Sequence, residues 1–265
     1  LSQLLQEIEP SQSVIFARMA VHHESASEDL SVRFGAPQEE IVDLLHAIHK
    51  CGAEPAFAFN VGSLVTDPEA YKYALSKTAT VLSHLPFPIR LLDVGGGFPT
   101  SYPNFIVPDL DQYFDALQES ISKLVLADEA EILGEPGRAL AAPGLSAVVE
   151  VILRKGNRLY LNDGMFGIFW LLAIDGPDSF PVRVFRNTEP LTGPKQQFIV
   201  NGPTCDSTDT LPGKLDLPLD IRAGDHLEFG NIGAYSLGGR SNYNGFYSDH
   251  IVKITGPTTQ PPLIK

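Results

Sequence analysis

"EILGEPGRAL", residues 131–140, ends an apolar run with an acid, a Pro-Gly pair and an arginine. Pro-Gly is among the strongest turn signals, and charged residues flank turns routinely. The plain reading is a strand that finishes in a turn. The sharper reading is a site that needs a carboxylate and a guanidinium a few ångströms apart, which Glu135 and Arg138 would supply. The stretch also divides the chain by character. Before it, apolar runs alternate with amphipathic segments; after it, helical periodicity fades.

Upstream, "VIFARMAV" (14–21), "PAFAFNVGS" (55–63), "IRLLDVGGG" (89–97) and "AEILGEPGR" (130–138) carry short, nearly continuous apolar runs. That is the pattern of fully buried parallel strands. Between them lie helix patterns. Residues 36–52 place Ile41, Leu44, Leu45 and Ile48 on one face, with Gly52 suited to the C-terminal cap. Residues 66–85 open with Thr66 or Asp67 as N-cap and Pro68 in the first turn, and residues 108–126 follow the same habit. Strands alternating with helices imply a parallel βα arrangement. Downstream, "LSAVVEVILRKGNRLYLND", "FPVRVFR", "KQQFIVNGP", "DHLEFGN" and "DHIVKITG" alternate with Gly, Pro and Asp, which predicts an antiparallel β-domain from about residue 140.

Composition narrows the function classes. With 265 residues the chain can bury a substantial core. Its net charge of −13 argues against general attraction to nucleic acid or to anionic membranes. Cys51 and Cys205 are the two cysteines. No disulfide framework follows, and a reducing compartment, the cytoplasm, is expected. No run of eighteen apolar residues and no signal-peptide pattern occur. The chain opens at Leu1 inside a helical pattern, as though midway through something longer.

Several constellations could carry chemistry. "LLDVGGGFPT" sets three glycines directly after a buried strand, where main-chain amides can approach a phosphate closely. A dinucleotide fingerprint fails on spacing, because its third glycine would fall at Thr100 and Pro99 intrudes. Ends of parallel strands gather on one side of a sheet or barrel. Arg18, Asn60, Ser63, Gly95, Gly96, Gly97 and Glu135 to Arg138 are therefore expected to face one crevice. Further on, "NGPTCDSTDTL" (201–211) sets Cys205 beside Asp206, "FGNIGAYSLGG" (229–239) offers Tyr235, and "NDGMFGIFWLLAID" (162–175) carries Asp163 and Asp175. His46, His49 and Cys51 lack a matching ligand pair elsewhere, so no metal is expected. Neither a serine nucleophile elbow nor a kinase set occurs.

The motifs "LSVRFGA", "FNVGS", "LLDVGGGFP", "GEPGR", "NDGMFG", "GPTCDSTD", "GAY" and "YNGF" follow one another over nearly the whole chain. Together they resemble the ornithine/diaminopimelate/arginine decarboxylase family of pyridoxal-phosphate enzymes (fold type III), and ornithine decarboxylases most. The resemblance implies an (α/β)₈ barrel, a β-domain and a homodimer with sites at the subunit interface. It implies pyridoxal 5′-phosphate as cofactor and a small amino acid as substrate. By position, Glu135 matches the acid that pairs with the cofactor's pyridine nitrogen. Ser63, Gly97, Gly137 and Arg138 match the phosphate grip within the Gly95–Gly96–Gly97 and Glu135–Arg138 loops. Tyr235 matches a cofactor-phosphate contact from the β-domain, and Arg18 a barrel-strand arginine near the cofactor. Cys205 resembles a proton donor offered across the dimer interface. Asp175 and Asp206 fall where a distal amino group is held.

Two departures stand out. Asn60 occupies the place of a histidine that stacks on the cofactor ring. The family's cofactor-bearing lysine, in a first-strand motif like Tyr-Ala-Val-Lys, has no match, and Lys72 in "EAYKYAL" sits in a helix pattern. The resemblance begins at the fifth barrel strand. Residues 1–139 are thus expected to form the second half of a (β/α)₈ TIM-like barrel, and residues 140–265 the β-domain. The N-terminal barrel half would be supplied elsewhere, possibly on another chain, and this chain alone would be inactive. The activity implied is decarboxylation of a basic diamino acid such as ornithine or lysine. The alternative is a non-catalytic relative that binds a regulator, as antizyme inhibitors do. Asn60 and the absent lysine favour that alternative, whereas Cys205, Asp206 and the phosphate motifs oppose it. An amino-acid racemase is the lesser third reading.

Overall fold

The four apolar runs before Arg138 form one parallel sheet in the order β1-β3-β5-β6. In the computed structural model, which describes residues 1–172 and 180–255, these strands are β1 (Val14–Ala20), β3 (Glu54–Asn60), β5 (Leu91–Asp93) and β6 (Glu131–Leu133). A small ladder pairs β2 (Ala26–Glu28) with β4 (Ser63–Val65). The helices between are α1 (Gln38–Lys50), α2 (Glu69–Leu82) and α3 (Leu110–Ile121), and α4 (Gly137–Ala141) follows β6. In α1, Glu39 and Glu40 in the first turn and His49 and Lys50 in the last complement the helix dipole. Gly52, at φ +88°, ends it. Asp67 Oδ1 accepts the Glu69 N–H at 2.9 Å and so opens α2.

The period-two alternation gives the sheet two different faces. Ala17, Met19, Phe57, Phe59 and Leu92 are buried and join Ile41, Leu45 and Ile48 of α1 and Tyr71 and Leu75 of α2 in one core. The opposite face carries Phe16, Arg18, Ala56, Ala58 and Asp93, matched across β1, β3 and β5 by register. Full burial was expected of all four strands. β1 and β6 depart from it: Val14 and Phe16 of β1 are exposed, and so are Glu131, Ile132 and Leu133 of β6. Among the described residues no strand lies beyond β6, and the outer edge of β1 carries a single bridge, Met19 to Ala36. An edge strand has neighbours on one side only, so its side chains remain wet.

The remaining chain forms a seven-stranded sheet in the order β10-β9-β13-β7-β8-β11-β12. These strands are β7 (Ala147–Lys155), β8 (Arg158–Leu161), β9 (Val182–Arg186), β10 (Glu189–Pro190), β11 (Lys195–Asn201), β12 (Leu215–Pro218) and β13 (His226–Phe229). A short helix, α5 (Ser236–Gly239), follows. All pairings are antiparallel except β8 with β11, which run parallel. Residues 249–255, the described part of "DHIVKITG", form no strand. Ile251, Val252 and Ile254 lie exposed. Their alternation suits a strand, yet a strand requires a hydrogen-bonding neighbour, and none stands beside them among the described residues.

Contacts divide the chain into two units: Leu1–Pro99 with Val107–Ala139, and Thr100–Ile106 with Leu140–Lys265. The small segment 100–106 is thus part of the second unit. There Tyr102 packs edge-on against Phe180, with centroids 5.0 Å apart, and Asn231 Nδ2 donates to the Ser101 carbonyl at 3.1 Å. The second unit is also tied by a buried acid. Asp225, 1 % exposed, accepts both Arg186 Nε at 2.8 Å and Arg186 Nη2 at 2.9 Å, and the Arg222 N–H at 2.8 Å. No described helix is long and apolar enough to cross a membrane.

Candidate functional site

Within the first unit, the loops that follow β3, β5 and β6 interlock through main chain. Asp93 Oδ1 accepts the Gly95 N–H at 2.8 Å, and Gly95 O accepts the Glu135 N–H at 2.8 Å. Gly97 O accepts the Val65 N–H at 3.0 Å. Glycine is required here by contact and by conformation. Gly95 has φ +69°, and a Cβ on it would lie 2.2 Å from Phe59 O. A Cβ on Gly96 would lie 2.8 Å from Glu135 O and 3.6 Å from Asn60 Nδ2. Asn60, Gly95, Gly96, Gly97 and Glu135 therefore come together at the C-terminal strand ends. Tyr71 fixes the loop from below, its hydroxyl donating to Gly96 O at 2.9 Å in a buried setting that pushes the phenol far above its ordinary pKa. Sequence reading missed Tyr71, because "EAYKYAL" shows only a helical core face.

The turn at "GEPGR" is both a turn and a helix start. Glu135 O accepts the Gly137 N–H at 2.8 Å, and α4 begins at once. Arg138 is 9 % exposed, while Glu135 and Gly137 are exposed. Ser63 opens β4, half-buried, just before Leu64 at φ +51°. Arg18 lies on the β1 face, paired by register with Ala58, its guanidinium 5.4 Å from the Phe34 ring centroid. Asn60 Oδ1 accepts the Gly62 N–H at 2.9 Å, which locks the side chain into its own turn. Lys72 projects from α2 to Glu69 Oε1 at 2.7 Å and Glu119 Oε2 at 3.6 Å. Its pKa is raised, chiefly by the hydrogen bond to Glu69, so the amine stays charged.

These residues fit pyridoxal phosphate. Among the described residues no acceptor takes the N–H of Gly96 or Gly97. Free amides in a glycine loop, with a nearly buried guanidinium on the neighbouring segment, suit a phosphate dianion. The Glu135 carboxylate can hold a proton on a pyridine nitrogen.

In the second unit, Cys205 and Asp206 line an open pocket of about 350 Å³ with Ile152, Tyr160, Asn201 and Thr210. Asp206 Oδ1 accepts Thr208 Oγ1 at 2.7 Å and the Thr208 N–H at 2.8 Å, and these bonds, the hydroxyl's first, hold the acid below the ordinary aspartate range. Tyr243, packed on Phe166 with centroids 4.3 Å apart, donates to Asp206 Oδ2 at 3.4 Å. Asn244 Nδ2 approaches Cys205 Sγ at 3.4 Å. The charge of Asp206 in turn raises the Tyr243 pKa. Tyr243 and Asn244 belong to "YNGF", a motif to which sequence reading gave no role. Nothing in the spacing ties residues 205 and 243. Asp209, 2 % exposed, accepts the Met165 N–H at 2.8 Å and the Thr204 N–H at 3.0 Å, which joins the "NDGMFG" turn to the Cys205 loop. Asp163, held in the same turn by the Gly164 N–H at 2.7 Å, has its pKa raised by burial. Tyr235 precedes α5 at φ +64° with half its surface exposed. Asp175 lies outside the described residues.

Comparison with known proteins points to one family. The family model described as "Pyridoxal-dependent decarboxylase, pyridoxal binding domain" matches residues 1–142, and that described as "Pyridoxal-dependent decarboxylase, C-terminal sheet domain" matches residues 116–233. Antizyme inhibitor 2 of Xenopus laevis is 31 % identical over 86 % of this chain and 54 % of its own length. Ornithine decarboxylase of Cricetulus griseus is 29 % identical over 92 % of this chain and 57 % of its own length. A crystal structure of a mutant SrLDC in complex with PLP matches with a TM-score of 0.82 and 27 % identity, covering 93 % of this chain and 63 % of that one. The chain thus spans about half the length of the curated relatives it matches. Since the pyridoxal-binding model alone covers more than half of its residues, the chain belongs to the pyridoxal-dependent decarboxylase family.

Proposed function

We propose that this chain is the C-terminal portion of a decarboxylase acting on a basic diamino acid such as ornithine or lysine. The observation that carries the reading is the meeting of Asn60, the Gly95–Gly97 loop and Glu135 at the ends of parallel strands. In it, the amides of Gly96 and Gly97, with Ser63, Gly137 and Arg138, hold the cofactor phosphate, and Arg18 lies near the ring. When bound, pyridoxal phosphate supplies a sink for the electron pair released as the substrate's α-carboxylate departs. Glu135 keeps the pyridine nitrogen protonated, so that the sink stays deep. Cys205 delivers a proton to the substrate's α-carbon. Asp206, kept anionic by Thr208, takes the distal ammonium together with Asp175. Tyr235 adds a hydroxyl to the phosphate grip.

The remaining barrel half belongs to the same proposal. Four further βα units, roughly a hundred residues or more, would pair with the exposed β6 edge and the β1 edge and complete a (β/α)₈ barrel. Residues 1–139 would be the barrel half and 140–265 the β-domain, in a homodimer whose loops carry Cys205 toward a neighbour. The cofactor-bearing lysine would come from the added half. The test is direct. Reconstituted with pyridoxal phosphate and reduced with borohydride, the 265-residue chain should yield no stoichiometric adduct by mass spectrometry. Lys72, fully charged between two glutamates, is the lysine to watch. A stoichiometric adduct on it would overturn the proposal.

One observation favours the non-catalytic reading. The amide of Asn60, locked on Gly62, stacks on an aromatic ring less well than an imidazole would. Substrate kinetics separate the two. In the complete enzyme, Asp206→Asn should raise KM for a diamino acid severalfold or more while kcat changes little. A complete, cofactor-loaded protein that turned over no diamino acid would leave the regulator-binding reading.

A further inference from the structure

Trp170 is the one tryptophan of the chain. Its indole N–H donates to two successive carbonyls, Tyr235 O and Ser236 O, both at 3.0 Å. Tyr235 O also accepts the Gly239 N–H at 3.1 Å. Gly239 lies directly on the indole, where a Cβ would fall 1.8 Å from Trp170 Cε2. The turn that these contacts hold breaks local rules twice. Tyr235 adopts φ +64° and ψ −27°, a left-handed conformation that a bulky aromatic residue rarely takes. Ser236 is fully buried, and its hydroxyl has no hydrogen-bond partner among the described residues. Such costs persist where the surroundings over-determine them, and they gather at sites that need a fixed geometry.

Trp170 is half-buried, and its indole N–H could be satisfied by water or by any carbonyl. Here the acceptors are the carbonyls of the strained residue and its neighbour, and position 239 is cleared of a side chain so that the ring can reach them. We infer that Trp170 is a positioning residue: it latches the 235–236 turn so that the half-exposed Tyr235 ring is presented, pre-organised, to the cofactor phosphate. The inference rests on the proposed phosphate contact of Tyr235. It adds to that contact the residue that sets its backbone.

The experiment is a double-mutant cycle on cofactor affinity, read by equilibrium dialysis of pyridoxal phosphate from the holoenzyme. Trp170→Phe removes the N–H and keeps a ring; Gly239→Ala leaves the indole in place but drives it off the turn. Each should raise the dissociation constant about tenfold, as the loss of one well-placed hydrogen bond does. Tyr235→Phe should do at least as much, and Trp170→Phe combined with Tyr235→Phe should bind no worse than Tyr235→Phe alone. A merely structural tryptophan would give multiplying effects, or none. Either result overturns the latch while leaving the Tyr235 contact standing. If Tyr235→Phe retained the cofactor as the unaltered protein does, the contact itself would be lost and the latch with it. Gly239→Ala covers the case in which Trp170→Phe does not fold. In the 265-residue chain, whose one indole is Trp170, the emission of this variant should shift to the red as the ring leaves its carbonyls, and an unchanged spectrum also counts against the latch.

Discussion

Glu135→Gln in the complete holoenzyme is expected to lower kcat about 10²–10³-fold, the range for removing one preorganised electrostatic group. Glutamine keeps the shape and the main-chain bonds: the N–H still donates to Gly95 O, and the carbonyl still accepts Gly137 N–H, both at 2.8 Å. What it loses is the charge proposed to hold a proton on the pyridine nitrogen. The loss appears as electron density builds on the ring, so KM for the amino acid should move little. Retention of cofactor should also persist, because phosphate binding is assigned to other groups. Steady-state kinetics with dialysed enzyme would settle it. A variant within threefold of the parent kcat would remove Glu135 from its role.

A second large effect concerns stability. Asp225→Ala should cost the second unit about 3 kcal/mol, near the low end for breaking a buried pair, because Arg186 keeps part of its guanidinium in water. In thermal terms that is about 10 °C in Tm for a unit of this size. The pH dependence has a definite sign. Burial raises the Asp225 pKa, but the bonds from Arg186 and the Arg222 N–H outweigh it, and the net shift is downward. A depressed folded-state pKa gives stability that is present above the unfolded value near 4 and is lost as pH falls through the lower folded value. Melting curves of the parent protein should therefore drop steeply in strong acid. The Asp225→Ala curve should lack that component, and parallel curves would refute the assignment.

Much of this architecture was legible because apolar runs and amphipathic segments obey different periods. The core of α1 and the buried centre of β3 follow directly from that difference. The reading faltered where partners lie far apart in sequence. "DHIVKITG" looks like a strand in isolation, yet nothing local can reveal that no neighbour among the described residues pairs with it. The parallel pairing of β8 with β11 is likewise a property of topology, since either direction gives the same alternation. At the site, glycines betray themselves by standing in a row after a strand, and Pro-Gly marks the Glu135 turn. Tyr71 and Tyr243 carry no such mark. One looks like core and the other like loop, and only the folded chain brings their hydroxyls to Gly96 and Asp206.

The excursion at residues 100–106 has a consequence for gene shuffling. Relatives built from a pyridoxal-binding part and a sheet part invite chimaeras joined near residue 140. In this chain such a join would take Phe180 and Asn231 from one parent and Tyr102 and Ser101 from the other. The ring pair and the hydrogen bond would then have to form between sequences never selected together. A crossover that carries 100–106 along with the sheet part needs three junctions instead of one. That short segment therefore favours moving the two parts together as a single block.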